Sequence, residues 1–109
     1  NPTSMMAALE NFRNMKASRK MLILGDMREL GSASRAEHQK IADYLSQSAF
    51  DKVWLVGEQF AATRQSFRTF ANVEEVIKEI EMEHPSGYTI LIKGSNGVKL
   101  YKIADCLGL

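Results

Sequence analysis

The segment Lys93–Gly97 (Lys-Gly-Ser-Asn-Gly) has the residue types of an anion-binding loop. Its lysine ends an apolar run, its glycines permit a tight backbone, and a helical pattern follows. Backbone N–H groups at that helix start, with Lys93 and Ser95, could hold a carboxylate or a phosphate. The alternative is a strand-to-helix turn that needs glycine for its geometry alone. The sequence contains neither a Walker A loop nor a Gly-x-Gly-x-x-Gly motif.

A second polar segment, Gly25–Ser32, brings Asp26, Arg28 and Glu29 together after an earlier apolar run. Carboxylates there could bind a substrate ammonium group or a metal-bound nucleotide. The alternative is a solvated loop that binds nothing.

His38 follows this loop on the apolar face of a predicted helix. Histidine titrates near neutral pH and can act as a base or a donor, but a histidine that hydrogen-bonds the preceding loop is the simpler interpretation. His84, next to Pro85 in a turn, is expected to be exposed. Cys106 has no histidine nearby in sequence, so we interpret it as a small buried apolar side chain.

Three apolar runs predict the buried strands that must position these residues. They are Met21–Leu24, Val53–Val56 and Tyr88–Lys93, and each is followed by a glycine. A short edge strand is predicted at 68–71. Because strands alternate with helical patterns, we predict a doubly wound α/β fold with a mostly parallel sheet and helices on both faces. Ligands of such sheets bind beyond the carboxyl ends of the strands, where both polar segments and the Gly57-Glu58 turn are expected.

Capping patterns predict where the helices begin. Asn1 before Pro2 predicts an N-cap, and two pairs have capping-box spacing, Ser34 with Glu37 and Asn72 with Glu75. Apolar spacing predicts a further helix through 60–67. It also predicts a last helix with Val98, Tyr101, Ala104 and Leu107 on its apolar face.

Composition narrows the class of protein. The 109 residues fit one domain, and the start at Asn1 without methionine suggests part of a longer chain. The chain has 14 basic and 13 acidic residues, and this balance gives no electrostatic reason to expect binding to nucleic acid or to an anionic membrane. The apolar runs are far shorter than the roughly 20 residues that span a bilayer. A single cysteine excludes an internal disulfide and favours a reducing compartment.

Three motifs resemble the Mur ligases, specifically the branch that adds D-alanyl-D-alanine. Leu24–Gly31 resembles Leu-Gly-Asp-Met-x-Glu-Leu-Gly of that branch and is the most specific of the three. Asn1–Met5 resembles the end of its Tyr-Asn-Ala-Asn-Pro-x-Ser-Met segment, and Leu91–Ser95 resembles its Leu-Val-Lys-Gly-Ser. The position of His38 also fits, and order and spacing agree over essentially the whole chain.

The resemblance implies that residues 1–109 form the Rossmann-like C-terminal domain of a three-domain, cytoplasmic ligase of peptidoglycan synthesis. ATP and Mg²⁺, held mainly by a central domain, would serve to form an acyl phosphate on UDP-N-acetylmuramoyl-tripeptide. The amine of D-alanyl-D-alanine would then attack, forming an amide and releasing phosphate. The isolated domain would be inactive, with no catalytic residue and no metal ligand of its own.

The resemblance also implies roles for individual residues. Asn1 would face ATP, and His38 would support the loop after the first strand. The substrate-binding residues, which would approach the dipeptide or the phosphates, would be Asp26, Glu29, Lys93, Ser95 and Asn96.

The chain departs from the family at two places. Asn96 stands where members often have arginine, and Tyr101-Lys102 stands where many have glutamate, so the partner of the dipeptide carboxylate is open. One alternative is a sister Mur ligase or a folate polyglutamate synthase, against which the Gly-Asp-Met-x-Glu-Leu-Gly loop argues. Another is a non-enzymatic module that binds a small ligand. A receiver-like module is disfavoured because no aspartate ends the strand at Val56.

Overall fold

A parallel four-stranded sheet is the centre of this protein. The computed structural model describes the backbone of residues 1–109 and every side chain except that of Asn96. The strand order is β3-β2-β1-β4. The strands are β1 (Lys20–Gly25), β2 (Lys52–Val56), β3 (Arg68–Phe70) and β4 (Thr89–Lys93).

Helices alternate with these strands along the chain. The α-helices are α1 (Pro2–Asn14), α2 (Ser34–Gln47), α3 (Glu58–Ala61), α4 (Val73–Glu83) and α5 (Tyr101–Leu107). Short 3-10 turns, Gly31–Ala33 and Asn96–Val98, precede α2 and α5. None of the described helices combines the length and the hydropathy that a membrane span requires.

Successive side chains of β1 point to opposite faces of the sheet and belong to two hydrophobic cores, one on each face. Leu22 and Leu24 belong to the core formed with α1, α2 and α3, whereas Met21 and Ile23 belong to the core formed with α4 and α5. The helical residues of the first core include Met5, Leu9, Phe12, Ile41, Leu45 and Phe60. Helices therefore cover both faces, and the predicted doubly wound α/β fold is confirmed.

The strand order places a crevice at one end of the sheet. From β1 the chain proceeds outward to β2 and β3, then crosses to the other side of β1 to form β4. The segments that leave β1 and β4 consequently run in different directions. Such a reversal point, at the carboxyl ends of the strands, is where open α/β sheets bind ligands.

Two predicted helix caps are confirmed. Asn1 Oδ1 accepts the N–H of Ser4 at 2.8 Å, and Asn72 Oδ1 accepts the N–H of Glu75 at 3.0 Å. The Glu75 carboxylate reaches back and accepts the N–H of Ala71 at 2.8 Å. These bonds satisfy N–H groups that a helix start leaves without partners.

The predicted cap at Ser34 is wrong. The 3-10 turn Gly31–Ala33 runs directly into α2, so Ser34 already has helical backbone and its hydroxyl makes no cap bond. That hydroxyl donates instead to Gln59 Oε1 at 2.8 Å. The side chain thus joins α2 to the segment after β2.

The helix predicted through residue 67 is also wrong in extent, because α3 ends at Ala61. The Thr63 hydroxyl donates to the Phe60 carbonyl at 2.5 Å, and Gln65 Oε1 accepts the N–H of Phe67 at 2.7 Å. Such local bonds between side chain and backbone compete with helix continuation.

The last predicted helix is divided at Lys99, whose φ is +58°. Because of this break, a different face of the helix packs against the sheet. Leu100 and Ile103 are buried, whereas Tyr101 is 64% exposed. Cys106 is exposed as well, contrary to the sequence-based interpretation.

The Asn72 cap gives a stability test. We expect Asn72→Ala to lower the free energy of unfolding by about 1 kcal/mol, because the first turn of α4 loses its side-chain acceptor. The matched control is Asn11→Ala at an exposed position inside α1, which removes no cap. Urea unfolding monitored by Trp54 fluorescence measures both. Equal stability of the two variants would contradict the prediction.

Candidate functional site

The Asp26 carboxylate joins the end of β1 to the start of α3. Its oxygens accept the backbone N–H groups of Gln59 at 2.9 Å and Phe60 at 3.0 Å. The N-cap of α3 is Gly57, which has no side chain to make these bonds itself. Asp26 therefore caps a helix that lies far from it in sequence, and both of its oxygens are engaged by the protein.

Gly57 is required for this contact. Its φ of 117° and ψ of 166° lie in a region that is almost exclusive to glycine. A Cβ at this position would overlap the Asp26 carboxylate. The glycine after β2 thus permits the approach of the aspartate that follows β1.

His38 holds the residue after Asp26. The imidazole is fully buried, and its Nε2 lies 2.9 Å from the N–H of Met27. Its Nδ1 lies 2.8 Å from the carbonyl of Ser34. Because a backbone N–H only donates and a carbonyl only accepts, Nε2 is the acceptor and Nδ1 has the proton. The ring is therefore neutral, and its contact with Phe60, at 4.8 Å between centroids, is edge-on.

Beyond these two anchored residues, the loop becomes exposed. Arg28 and Glu29 are both exposed, and Glu29 has a φ of 61°, in the left-handed region that non-glycine residues rarely adopt. Arg28 lies against Gly97, where a Cβ would overlap its guanidinium. The loop after β1 therefore contacts the loop after β4 through this arginine and this glycine.

The loop after β4 is tied to the loop after β1 through the backbone. The N–H of Ser95 donates to the carbonyl of Asp26 at 3.2 Å. Gly94 lies so close to Gly25 that an added Cβ would be 2.9 Å from the Gly25 Cα. The Ser95 hydroxyl is buried and has no hydrogen-bond partner among the described residues. The prediction for Asn96 concerns a side chain outside those that the structure describes.

Two adjoining cavities lie at these strand ends. The larger, about 860 Å³, extends over the ends of β1, β2 and β3, and the smaller, about 430 Å³, lies between the loops after β1 and β4. The charged residues of the larger cavity are Asp26, Arg28, Glu29, Glu58, Glu74 and Lys99. Those of the smaller cavity are Arg28, Glu29 and Lys93. Acidic groups thus predominate in the larger cavity and basic groups in the smaller one.

The structure brings most of the predicted site residues together. Asn1, Glu29, Lys93 and Ser95 line the smaller cavity, and Glu29 also borders the larger one. Asp26 lines only the larger cavity, and His38 lies beneath the loop and lines neither.

Sequence reasoning missed two charged residues of the larger cavity, Glu74 and Lys99. Glu74 follows the short strand β3, so the rule applied to the other strand ends would have found it. Lys99 gave no signal in the sequence, since it reaches the cavity through a left-handed backbone. Among the described residues, no group of three or more His, Cys, Asp or Glu side chains could hold a metal ion.

Comparison with known proteins gives one consistent result. Residues 1–96 match the family model described as Mur ligase, glutamate ligase domain. A UDP-N-acetylmuramoyl-tripeptide–D-alanyl-D-alanine ligase of Rickettsia prowazekii is 40% identical over 95% of this chain and 24% of its own length. The ligase of the same name from Bacillus subtilis is 30% identical over 97% of this chain and 25% of its own length.

A solved structure agrees with these relatives. Crystal structure I of MurF from Acinetobacter baumannii has a TM-score of 0.78 and 26% sequence identity, and it matches 100% of this chain and 26% of that one. The chain therefore spans about a quarter of the length of the proteins it matches.

Gly57 provides a test of the Asp26 contact. We expect Gly57→Ala to destabilise the protein by more than about 2 kcal/mol, because backbone strain and displacement of the carboxylate add together. Gly31→Ala is the control: Gly31 also has positive φ, but a Cβ there meets nothing within 4 Å. That variant should lose only about 1 kcal/mol. Thermal unfolding compares them, and a similar loss for both would argue against a special role of Asp26.

His38 provides a second test. Replacement by alanine leaves the buried N–H of Met27 without its acceptor and a cavity beside Phe60, so we expect a loss of about 2–4 kcal/mol. Amide hydrogen exchange at Met27 should become much faster. His84→Asn, at an exposed left-handed position, should change neither quantity appreciably. Unchanged protection of Met27 in His38→Ala would contradict the proposed bond.

Proposed function

Because this chain belongs to the Mur ligase family, we propose that it is the C-terminal domain of an ATP-dependent ligase that adds D-alanyl-D-alanine to UDP-N-acetylmuramoyl-tripeptide. The relatives named for this activity support the substrate. The observation that most favours it is the meeting of the two motif loops, Gly25–Gly31 and Lys93–Ser95, around adjoining cavities of unlike charge.

Unlike charges in neighbouring cavities suit a zwitterion. D-Alanyl-D-alanine has an ammonium group at one end and a carboxylate at the other, roughly 7 Å apart when the chain is extended. Glu29, on the border between the cavities, would attract the ammonium group. Lys93 and the Ser95 hydroxyl, in the basic cavity, would bind the carboxylate, and Asn96 would contribute to the same end.

The remaining predicted residues would act through these. Asp26 borders the larger cavity, but its bonds to α3 make its main contribution the position of the loop that presents Glu29. His38 would fix the same loop from below through Met27. Asn1, at the edge of the smaller cavity, would face the nucleotide.

In the proposed reaction, the terminal carboxylate of the precursor takes the γ-phosphoryl group of ATP and becomes an acyl phosphate, with ADP as the leaving group. The neutral amine of the dipeptide attacks the carbonyl carbon of the acyl phosphate. A C–N bond forms, the C–O bond to inorganic phosphate breaks, and the nitrogen loses a proton to give the amide. ATP and Mg²⁺ would be held mainly by other parts of a cytoplasmic ligase. This domain would orient the amine and, on closure, exclude water that would otherwise hydrolyse the acyl phosphate.

A phosphate-release assay on the full-length ligase tests this function. With ATP, Mg²⁺ and the UDP-linked tripeptide present, we expect release only when D-alanyl-D-alanine is added, and no release after deletion of this domain. Release with a single amino acid or with glutamate would instead indicate a sister ligase or a folate polyglutamate synthase. Absence of release with every acceptor would favour a binding module.

The same assay tests whether Lys93 binds the carboxylate of the dipeptide. Lys93→Gln should raise the KM for the dipeptide about tenfold, since a charge-assisted hydrogen bond is lost. The KM for ATP should not change. Lys102→Gln, an exposed position outside both cavities, is the matched control. An unchanged dipeptide KM in Lys93→Gln would remove this residue from the site.

A further inference from the structure

Arg28 has no role in the function proposed above, yet it occupies a central place in the site. Its side chain borders both cavities. Among the described side chains, no salt bridge within 4.0 Å includes it. A guanidinium always has its charge at neutral pH and presents five N–H donors. Its donors are thus available to an acceptor that enters either cavity.

The guanidinium of Arg28 lies in a space that Gly97 leaves open. The atoms of Arg28 nearest to a Cβ built on that glycine are Nη1, Cζ and Nε, so the guanidinium itself lies against the glycine backbone. Gly97 does not need glycine for its own backbone, because its φ is outside the left-handed region. The missing side chain therefore creates the space that the guanidinium fills.

A second observation points to a ligand in the smaller cavity. The Ser95 hydroxyl is buried and unpaired among the described residues, and a buried polar group without a partner costs roughly 1–3 kcal/mol. Lys93 lines the same cavity, so two cations and one carboxylate, that of Glu29, surround it. An anion that accepts hydrogen bonds would satisfy both the hydroxyl and the excess positive charge.

We propose that Arg28, together with Lys93 and Ser95, forms an oxyanion-binding subsite in the smaller cavity. The inference rests on the proposed function, since it assigns the anion-binding part of that site and adds Arg28 to it. The ligand is a carboxylate or a phosphoryl group, two anions with the planar or tetrahedral oxygens that the guanidinium fork binds in bidentate fashion. Gly97 leaves the space in which the guanidinium of this subsite lies.

Titrations of this chain followed by NMR test the proposal directly. The probes are D-alanyl-D-alanine, its C-terminal amide, which lacks the carboxylate, and inorganic phosphate. We expect saturable shifts at the Ser95 and Gly97 amides with at least one oxyanion and none with the dipeptide amide. Binding of the dipeptide assigns the subsite to its carboxylate, and binding of phosphate alone assigns it to a phosphoryl group.

Two variants separate charge from position. Arg28→Gln removes the guanidinium and should weaken anion binding about tenfold. Gly97→Ala keeps Arg28 but displaces its flexible, exposed guanidinium, and should cause a smaller loss than Arg28→Gln. Arg35→Gln, at an exposed position that lines neither cavity, is the matched control and should bind as the unaltered chain does. Unchanged amide spectra away from the cavity establish that each variant is folded.

The subsite is overturned if no oxyanion gives saturable shifts, or if Arg28→Gln binds as tightly as the unaltered chain. Failure of the proposed function has a different signature, namely absence of dipeptide-dependent phosphate release by the full-length ligase. Phosphate binding that depends on Arg28 can therefore persist even if the dipeptide proves to be the wrong substrate.

Discussion

The bonds from the Asp26 carboxylate to two backbone N–H groups of α3 are the constraint on which this site depends. A four-residue helix is too short to be stable without such support. The aspartate supplies it from another strand, and Gly57 leaves the necessary space. With the imidazole of His38 holding the next residue, the loop after β1 is fixed at consecutive positions. Glu29 and Arg28 can then be exposed without losing a defined location.

The fixed loops also distribute charges of opposite sign unevenly between the two cavities. Arg28 and Glu29 line both cavities, whereas Lys93 lines only the smaller cavity and Glu58 and Glu74 only the larger one. Basic groups consequently predominate on the side of β4 and acidic groups on the side of β2 and β3. A site divided in this way orients a dipolar ligand by electrostatics before any close contact forms.

The fold was predictable because apolar periodicity and capping are local. The four strands were found, and the caps at Asn1 and Asn72 follow from three-residue spacing. Ser34 was misassigned because its hydroxyl bonds to Gln59, a partner that only the tertiary structure brings near. The predicted carboxyl ends of the strands likewise indicated where the site lies. Two contacts join segments that are distant in sequence, namely those of Asp26 with α3 and of Arg28 with Gly97. No rule based on residue spacing predicts such contacts.

The edge position of β4 has a consequence for the order in which this protein folds and opens. β4 pairs with β1 alone, and the two strands come from opposite parts of the sequence. Non-local pairings of this kind form late, because the chain entropy lost in closing the loop precedes the gain from contacts. The pocket between β1 and β4 is accordingly completed by a strand whose pairing requires the closure of a long loop. Fraying of that strand would abolish the pocket while the packing of β1, β2 and α2 persists, so the pocket depends on a strand that is paired on one side only.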